Sequence, residues 1–206
     1  MYRILPLVRK RMSDSIKQEQ LKIWHRDVVL PMRSLIILCS YHHKNTEKVA
    51  NVFTRVLGSN IKTPQQTRPE ELQEYDLIGF GSGIYSSNVH KDLLGLAERL
   101  PEGGNGKAFL FSTSGAPALF DRYDASYRER YMRECHMQLR DKLQSKGYAI
   151  IGEFGCAGFN TNSFLRLLGG VNKGRPDARD LKRAEEFALS IKQGIAGILS
   201  GERIEG

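Results

Sequence analysis

The sequence contains no pair of cysteines at CxxC spacing; its three cysteines stand at 39, 135 and 156. That excludes a zinc knuckle and a thioredoxin-type redox motif. Long hydrophobic runs are also lacking. Leu35 to Cys39 is far too short to cross a bilayer, and Ile4 to Val8 is too short for the apolar core of a signal peptide. With an odd cysteine count and no secretory signal, the thiols are expected as small buried hydrophobes in a reducing cytoplasm. Neither GxSxG nor a Cys–His pair marks a nucleophile. No basic stripe with interleaved aromatics is present, so a nucleic-acid partner is not expected. There is no internal repeat and no low-complexity stretch.

What is present suits one α/β domain: 206 residues, 40% hydrophobic and 26% charged. The formal net charge is +8. Residues 1–31 hold seven Lys/Arg against three Asp/Glu, a surplus of four, so half of the excess is local. Residues 1–32 are therefore expected as a basic, poorly ordered N-terminal extension, and 33–206 as the folded domain. Beyond the extension, Lys and Arg mostly alternate with Glu and Asp, as on solvated helix faces.

From Ser34 onward, short apolar runs alternate with helical patterns. Leu35 to Cys39, Asp76 to Phe80, Ala108 to Phe111 and Tyr148 to Phe154 read as strands, with a weaker one near Ile61. Asn45 to Leu57, Lys91 to Leu100, Tyr127 to Lys146 and Asp177 to Ile198 read as helices. The repeated β-α order implies a parallel sheet covered on both faces.

Ligands of such sheets bind beyond the carboxyl ends of the strands. The first loop there is Ser40-Tyr41-His42-His43-Lys44-Asn45-Thr46, which ends at a helix N-terminus suited to an anion such as phosphate. The second contains Ser82-Gly83-Ile84-Tyr85, where glycine lets the backbone approach a flat ligand and Tyr85 offers a stacking ring. The third, Ser112-Thr113-Ser114-Gly115, again supplies small residues and hydroxyls. A fourth, Cys156 to Val171, includes Phe159, Asn160 and Thr161.

Four segments in order, LIILCSYHHKNTEKVANVF, YDLIGFGSGIY, KAFLFSTSG and GEFGCAGFNT, resemble the flavodoxin family over about Arg33 to Ile191. The resemblance implies a three-layer α/β/α sandwich with a five-stranded parallel sheet in the order 2-1-3-4-5. It implies FMN as cofactor, with the first loop around the phosphate and the second and third around the ring. Lys44 takes the place of the family's usual glycine, and His43 and Tyr41 those of hydroxyl residues. The implied function is electron transfer to a redox protein or a small-molecule donor or acceptor. The alternatives are an NAD(P)H-dependent FMN or quinone reductase, and a flavin-free binding or regulatory module.

Other residues read more plainly. His42 and His43 are adjacent and point apart, a poor geometry for shared metal ligation. His90 and His136 are expected at helix surfaces or caps. Asp121, Tyr123 and Asp124 read as a solvated loop or a lid, and Trp24 has no assigned role.

Overall fold

The structure, a computed structural model, describes residues 32–119, 126–162, 165, 167 and 169–200. The N-terminal extension with Trp24, and the loop residues Asp121, Tyr123 and Asp124, lie outside the described residues. The strands are β1 (Ser34–Cys39), β2 (Asn60–Lys62), β3 (Leu77–Tyr85), β4 (Asn88–Val89), β5 (Lys107–Ser114) and β6 (Ala149–Ala157). The helices are α1 (Asn45–Leu57), α2 (Lys91–Glu98), α3 (Tyr127–Ser145) and α4 (Ala178–Ser200). Five strands pair in parallel in the order β2-β1-β3-β5-β6, and β4 folds back antiparallel on β3. Leaving β4 aside, this is the 2-1-3-4-5 order expected for a doubly wound sheet.

The alternation of side chains along each strand builds two cores. Leu35, Ile37 and Cys39 of β1 pack with Leu93 and Leu96 of α2 and Leu139 and Leu143 of α3. Ile36 and Leu38 face the other way, onto Val49 and Phe53 of α1 and Ala184 and Ala188 of α4. A strand buried on both faces reads as a continuous apolar run, which is why β1 stands out in the sequence. Each of these large side chains contributes about 1.5–3 kcal/mol by leaving water.

Three strands run further at their carboxyl ends than the sequence pattern gives, β6 as far as Ala157. The stretch from Gly81 to Tyr85, expected as a loop, continues β3, because Gly81 and Ser82 pair with Leu38 and Cys39 and Gly83 pairs with Thr113. Ser112 to Ser114 likewise belong to β5. Glycine and serine mask the strand pattern here for a packing reason. Gly79 and Gly81 stand directly opposite Phe109 and Phe111, and those two rings fill the space that side chains would take. At the end of β3, Ser86 and Ser87 adopt φ of 48° and 59°. Positive φ at both central residues is what a two-residue hairpin turn needs to match strand twist.

His136, expected at a surface or cap, is fully buried on α3. It bridges α3 to two strands: its Nδ1 lies 2.9 Å from Glu153 Oε2 on β6, and its Nε2 2.8 Å from Ser112 Oγ on β5. A carboxylate only accepts, so Nδ1 carries a proton. Arg140, one helical turn on, donates to both Glu153 oxygens at 2.7 and 3.0 Å. Burial alone would raise the Glu153 carboxyl; the bonds from His136 and Arg140 overcome it and hold the group at about 2.

Candidate functional site

The carboxyl ends of β1, β3, β5 and β6 open onto a cleft of about 500 Å³. Its floor begins at the turn into α1. His43 and Lys44 both adopt left-handed backbone, with φ of 53° and 52°, and Lys44 is the residue before the first helical position. Successive turns of this kind point several N–H groups at one place, and the helix dipole adds to the positive potential there. Two of the helix's early amides are taken: Glu47 N–H donates to Ser40 Oγ at 3.2 Å and Lys48 N–H to the Lys44 carbonyl at 3.1 Å.

The first loop is tied to the other walls side chain by side chain. Thr46 Oγ1 lies 2.8 Å from Thr113 Oγ1 in a buried pair. Asn45 Nδ2 donates to the Phe159 carbonyl at 2.8 Å. His43 Nε2 sits 2.7 Å from Thr161 Oγ1, with its ring 4.7 Å from that of Phe159. Asn45 Oδ1, in contrast, is buried and has no hydrogen-bond partner. A buried acceptor without a donor is costly, roughly 1–3 kcal/mol, and is a position where a ligand donor gains most.

Glycines set the width of the cleft. A Cβ on Gly115 would come within 2.4 Å of Asn160 Nδ2 and 2.8 Å of its Cγ. On Gly83 it would meet the Tyr85 ring at 3.1–3.2 Å. The far wall is organised by Asn172, whose Nδ2 donates to the Ala116 and Gly158 carbonyls at 2.9 and 3.2 Å while its Oδ1 accepts from Ala118 N–H at 2.7 Å. Asn172 has φ of 59°, a conformation asparagine tolerates better than most residues.

Of the residues expected at the site, Ser40, Tyr41, His42, His43, Asn45, Thr46, Gly83, Ile84, Tyr85, Thr113, Ser114 and Gly115 line this one cleft. Lys44, Ser82 and Ser112 do not. Lys44 points to solvent, with a side chain 73% exposed and its Nζ 3.5 Å from Glu47 Oε1. Ser82 is turned under the sheet end, where its Oγ accepts from His90 N–H at 2.9 Å. Ser112 faces α3 and His136. Strand alternation sends these two side chains to the face opposite the one their neighbours use.

The cleft also takes in Ser86, Ser87, Tyr131 and Gly158, along with Phe159, Asn160 and Asn162. Tyr131 comes from the second turn of α3, and no loop signal in the sequence points to it. Burial, the largest cause, raises its phenol, with the nearby Ser87 and Ser114 hydroxyls acting in the other direction. The phenol therefore stays protonated and serves as a donor at neutral pH. Among the described residues lining the cleft there is no carboxylate, lysine or arginine. An anion placed here meets neutral dipoles, imidazoles and backbone amides. Among the described residues, no helix is long and apolar enough to cross a membrane.

The position of Lys44 leads to a direct expectation. Lys44→Gly relieves left-handed strain of about 1 kcal/mol and removes only an exposed ion pair of small worth. The variant should be more stable in urea denaturation, with an unchanged cleft.

No family model matches the chain. Uncharacterized protein MJ0298 of Methanocaldococcus jannaschii is 42% identical over 160 residues, which cover 78% of this chain and 98% of that protein. Among solved structures, a flavodoxin from the domain Archaea superposes with a TM-score of 0.54 at 13% identity, over 80% of this chain and 99% of its own. Oxidised Flavodoxin 2 from Bacillus cereus gives 0.55 at 18% identity, over 79% and 99%. The flavodoxin of Fusobacterium nucleatum, crystallised with flavin mononucleotide, gives 0.52 at 12% identity, over 79% and 97%. At these identities the structural likeness establishes the architecture, a flavodoxin-like α/β fold. The sequence likeness reaches further, and the chain belongs to the family of the M. jannaschii protein MJ0298.

Proposed function

We propose that the chain binds FMN in this cleft and transfers electrons through it. The observation that carries this reading is Asn45 Oδ1, a buried acceptor without a partner beside the N-terminus of α1. The charged oxygens of a phosphate can only accept and do not serve that atom, whereas the polyol of a phosphorylated polyol brings hydroxyl donors to it. The ribityl phosphate of FMN has both parts. The backbone amides at the head of α1, with His43 and Thr46, would hold the phosphate; Asn45 would take the hydroxyl. Gly83, Thr113, Ser114 and Gly115 would let backbone and hydroxyl groups reach the ring edge, with Tyr85 and Phe159 covering its faces.

When bound, the flavin supplies the electron-accepting ring, and the protein supplies position and electrostatics. With no carboxylate among the described lining residues, added negative charge is opposed by none of them. The protonated Tyr131 hydroxyl, which shares the cleft lining with Ser87 and Ser114, gives the cleft a proton-bearing donor. Lys44, which would favour a flavin-free module if it blocked the phosphate turn, lies outside the cleft lining.

The test is a titration of the purified full chain with FMN, followed by flavin absorbance and fluorescence. Saturable perturbation of the flavin bands is expected, with Asn45→Ala weakening the complex about tenfold, the equivalent of one good hydrogen bond. A chain that leaves the FMN spectrum unchanged at all concentrations would end this reading.

A further inference from the structure

The phosphate of FMN carries the same charge whether the ring is oxidised or reduced, so groups that hold it bind both forms alike. Only groups that meet the ring can tell the forms apart. Two electrons and one proton turn the neutral oxidised ring into a reduced ring with one negative charge at neutral pH. What the cleft presents to that charge decides which form it prefers.

Each helix carries an acid in its first turn, where the helix dipole favours one. None of the four lines the cleft. Glu47 lies 3.5 Å from Lys44 Nζ. Asp92 accepts from Tyr41 at 3.1 Å and from Gln65 at 2.6 Å. Glu129 lines a separate hollow with Arg133 and Arg140. Asp180 is buried against Arg175. The helix heads thus keep their carboxylates while the described lining is free of them.

Three phenols line the cleft. Tyr41 gives its proton to Asp92, and Tyr85 is folded back over Gly83 of its own strand. Tyr131 differs from both. It comes from α3, which covers the sheet face opposite α1, so it enters from the side away from the turn assigned to the phosphate. Its ring is braced by Tyr127, one helical turn earlier, with centroids 6.1 Å apart and planes within 4° of parallel. It shares the lining with Ser87 and Ser114, at the ends of the two segments assigned to the ring. A hydrogen bond to an ionised acceptor is roughly twice as strong as one to a neutral acceptor, so a fixed hydroxyl there favours the reduced ring.

We propose that the cleft holds reduced, anionic FMN more tightly than oxidised FMN, and that the Tyr131 hydroxyl is a principal group telling the two forms apart. The proposal rests on the FMN reading and adds its direction: the bound flavin accepts electrons more readily than free FMN. By linkage, each tenfold preference for the reduced form raises the midpoint potential of a two-electron couple by about 30 mV.

The experiment measures two quantities on the purified full chain: the Kd for oxidised FMN, by absorbance titration, and the two-electron midpoint of the bound flavin, by anaerobic dithionite reduction against a reference dye, with free FMN measured alongside. The wild-type midpoint is expected about 30 mV or more above that of free FMN. Tyr131→Phe keeps the stack on Tyr127 and should lower the midpoint by about 30 mV, with the Kd for oxidised FMN changed less than threefold. Ser87→Asp puts a carboxylate into the lining, at a left-handed position that aspartate tolerates, and should lower the midpoint further. A purely structural Tyr131 would weaken both forms equally and leave the midpoint unmoved, which overturns its role. Saturable FMN binding with a midpoint at or below that of free FMN overturns this proposal alone. A chain that binds no FMN overturns both readings.

Discussion

Replacing His136 with leucine is expected to lower the free energy of unfolding by about 3 kcal/mol, read from urea denaturation at neutral pH. The size follows from what is left behind. Ser112 Oγ, fully buried, and one face of the Glu153 carboxylate, 16% exposed, lose their partner together. Leucine fills much of the imidazole's volume, so the loss reports polar bonds more than a cavity. The effect should depend on pH in a defined direction. Glu153 has its carboxyl depressed from 4.5 to about 2 in the folded chain. A depressed carboxyl contributes stability that is complete above its unfolded value and disappears as the pH falls through its folded value. The wild-type chain should therefore lose this contribution between pH 4.5 and about 2. In His136→Leu, with Arg140 as the remaining partner, the acid loss should be smaller. The gap between the two chains should narrow from about pH 6 to about pH 3. A constant gap would show that His136 acts through packing alone.

Gly81→Ala should be comparably damaging, costing about 3 kcal/mol, and a marked fall in Tm should show it. The added methyl would stand 2.1 Å from Phe111 Cζ and 2.4 Å from Cε2. A flexible surface ring could swing aside, but Phe111 is fully buried and edge-on to Phe53 with centroids 4.9 Å apart. Moving it displaces Phe53, which in turn touches Phe109, Phe154 and Phe187. Densely packed interiors pass such a displacement on. Pairing the change with Phe111→Leu should recover part of the loss, because the smaller side chain vacates the space over residue 81.

The contrast between these two positions explains what could be read in the sequence. Strand β1 and helix α1 announced themselves, one as an apolar run and the other by its period, because burial alone dictates both patterns. The turn into α1 was legible too, since a polar loop at a helix start carries its meaning locally. The continuation of β3 through Gly81 was hidden, because the residue that justifies that glycine, Phe111, lies on β5. His136 looked like one more polar residue on a charged helix, and its partners are 24 and 17 positions away. Tyr131 and Asn172 were hidden for the same reason, as both act through contacts that only the assembled layers create. Loop membership groups Lys44, Ser82 and Ser112 with the site, whereas the direction of each side chain decides whether it reaches the cleft.

The cleft joins early and late parts of the chain. Asn45 donates to a carbonyl 114 residues further on, and His43 meets a threonine 118 residues further on. During synthesis the N-terminal loop is therefore made long before the groups that brace it. Contacts of such separation close late, after the intervening strands have been added to the sheet. A nascent chain stopped short of Phe159 would hold the α1 turn without its brace, so the cleft is complete only once the sheet is. If FMN binds as proposed, its addition during refolding should speed recovery only in the last phase, when β6 has joined and the Phe159–Thr161 segment reaches the turn into α1.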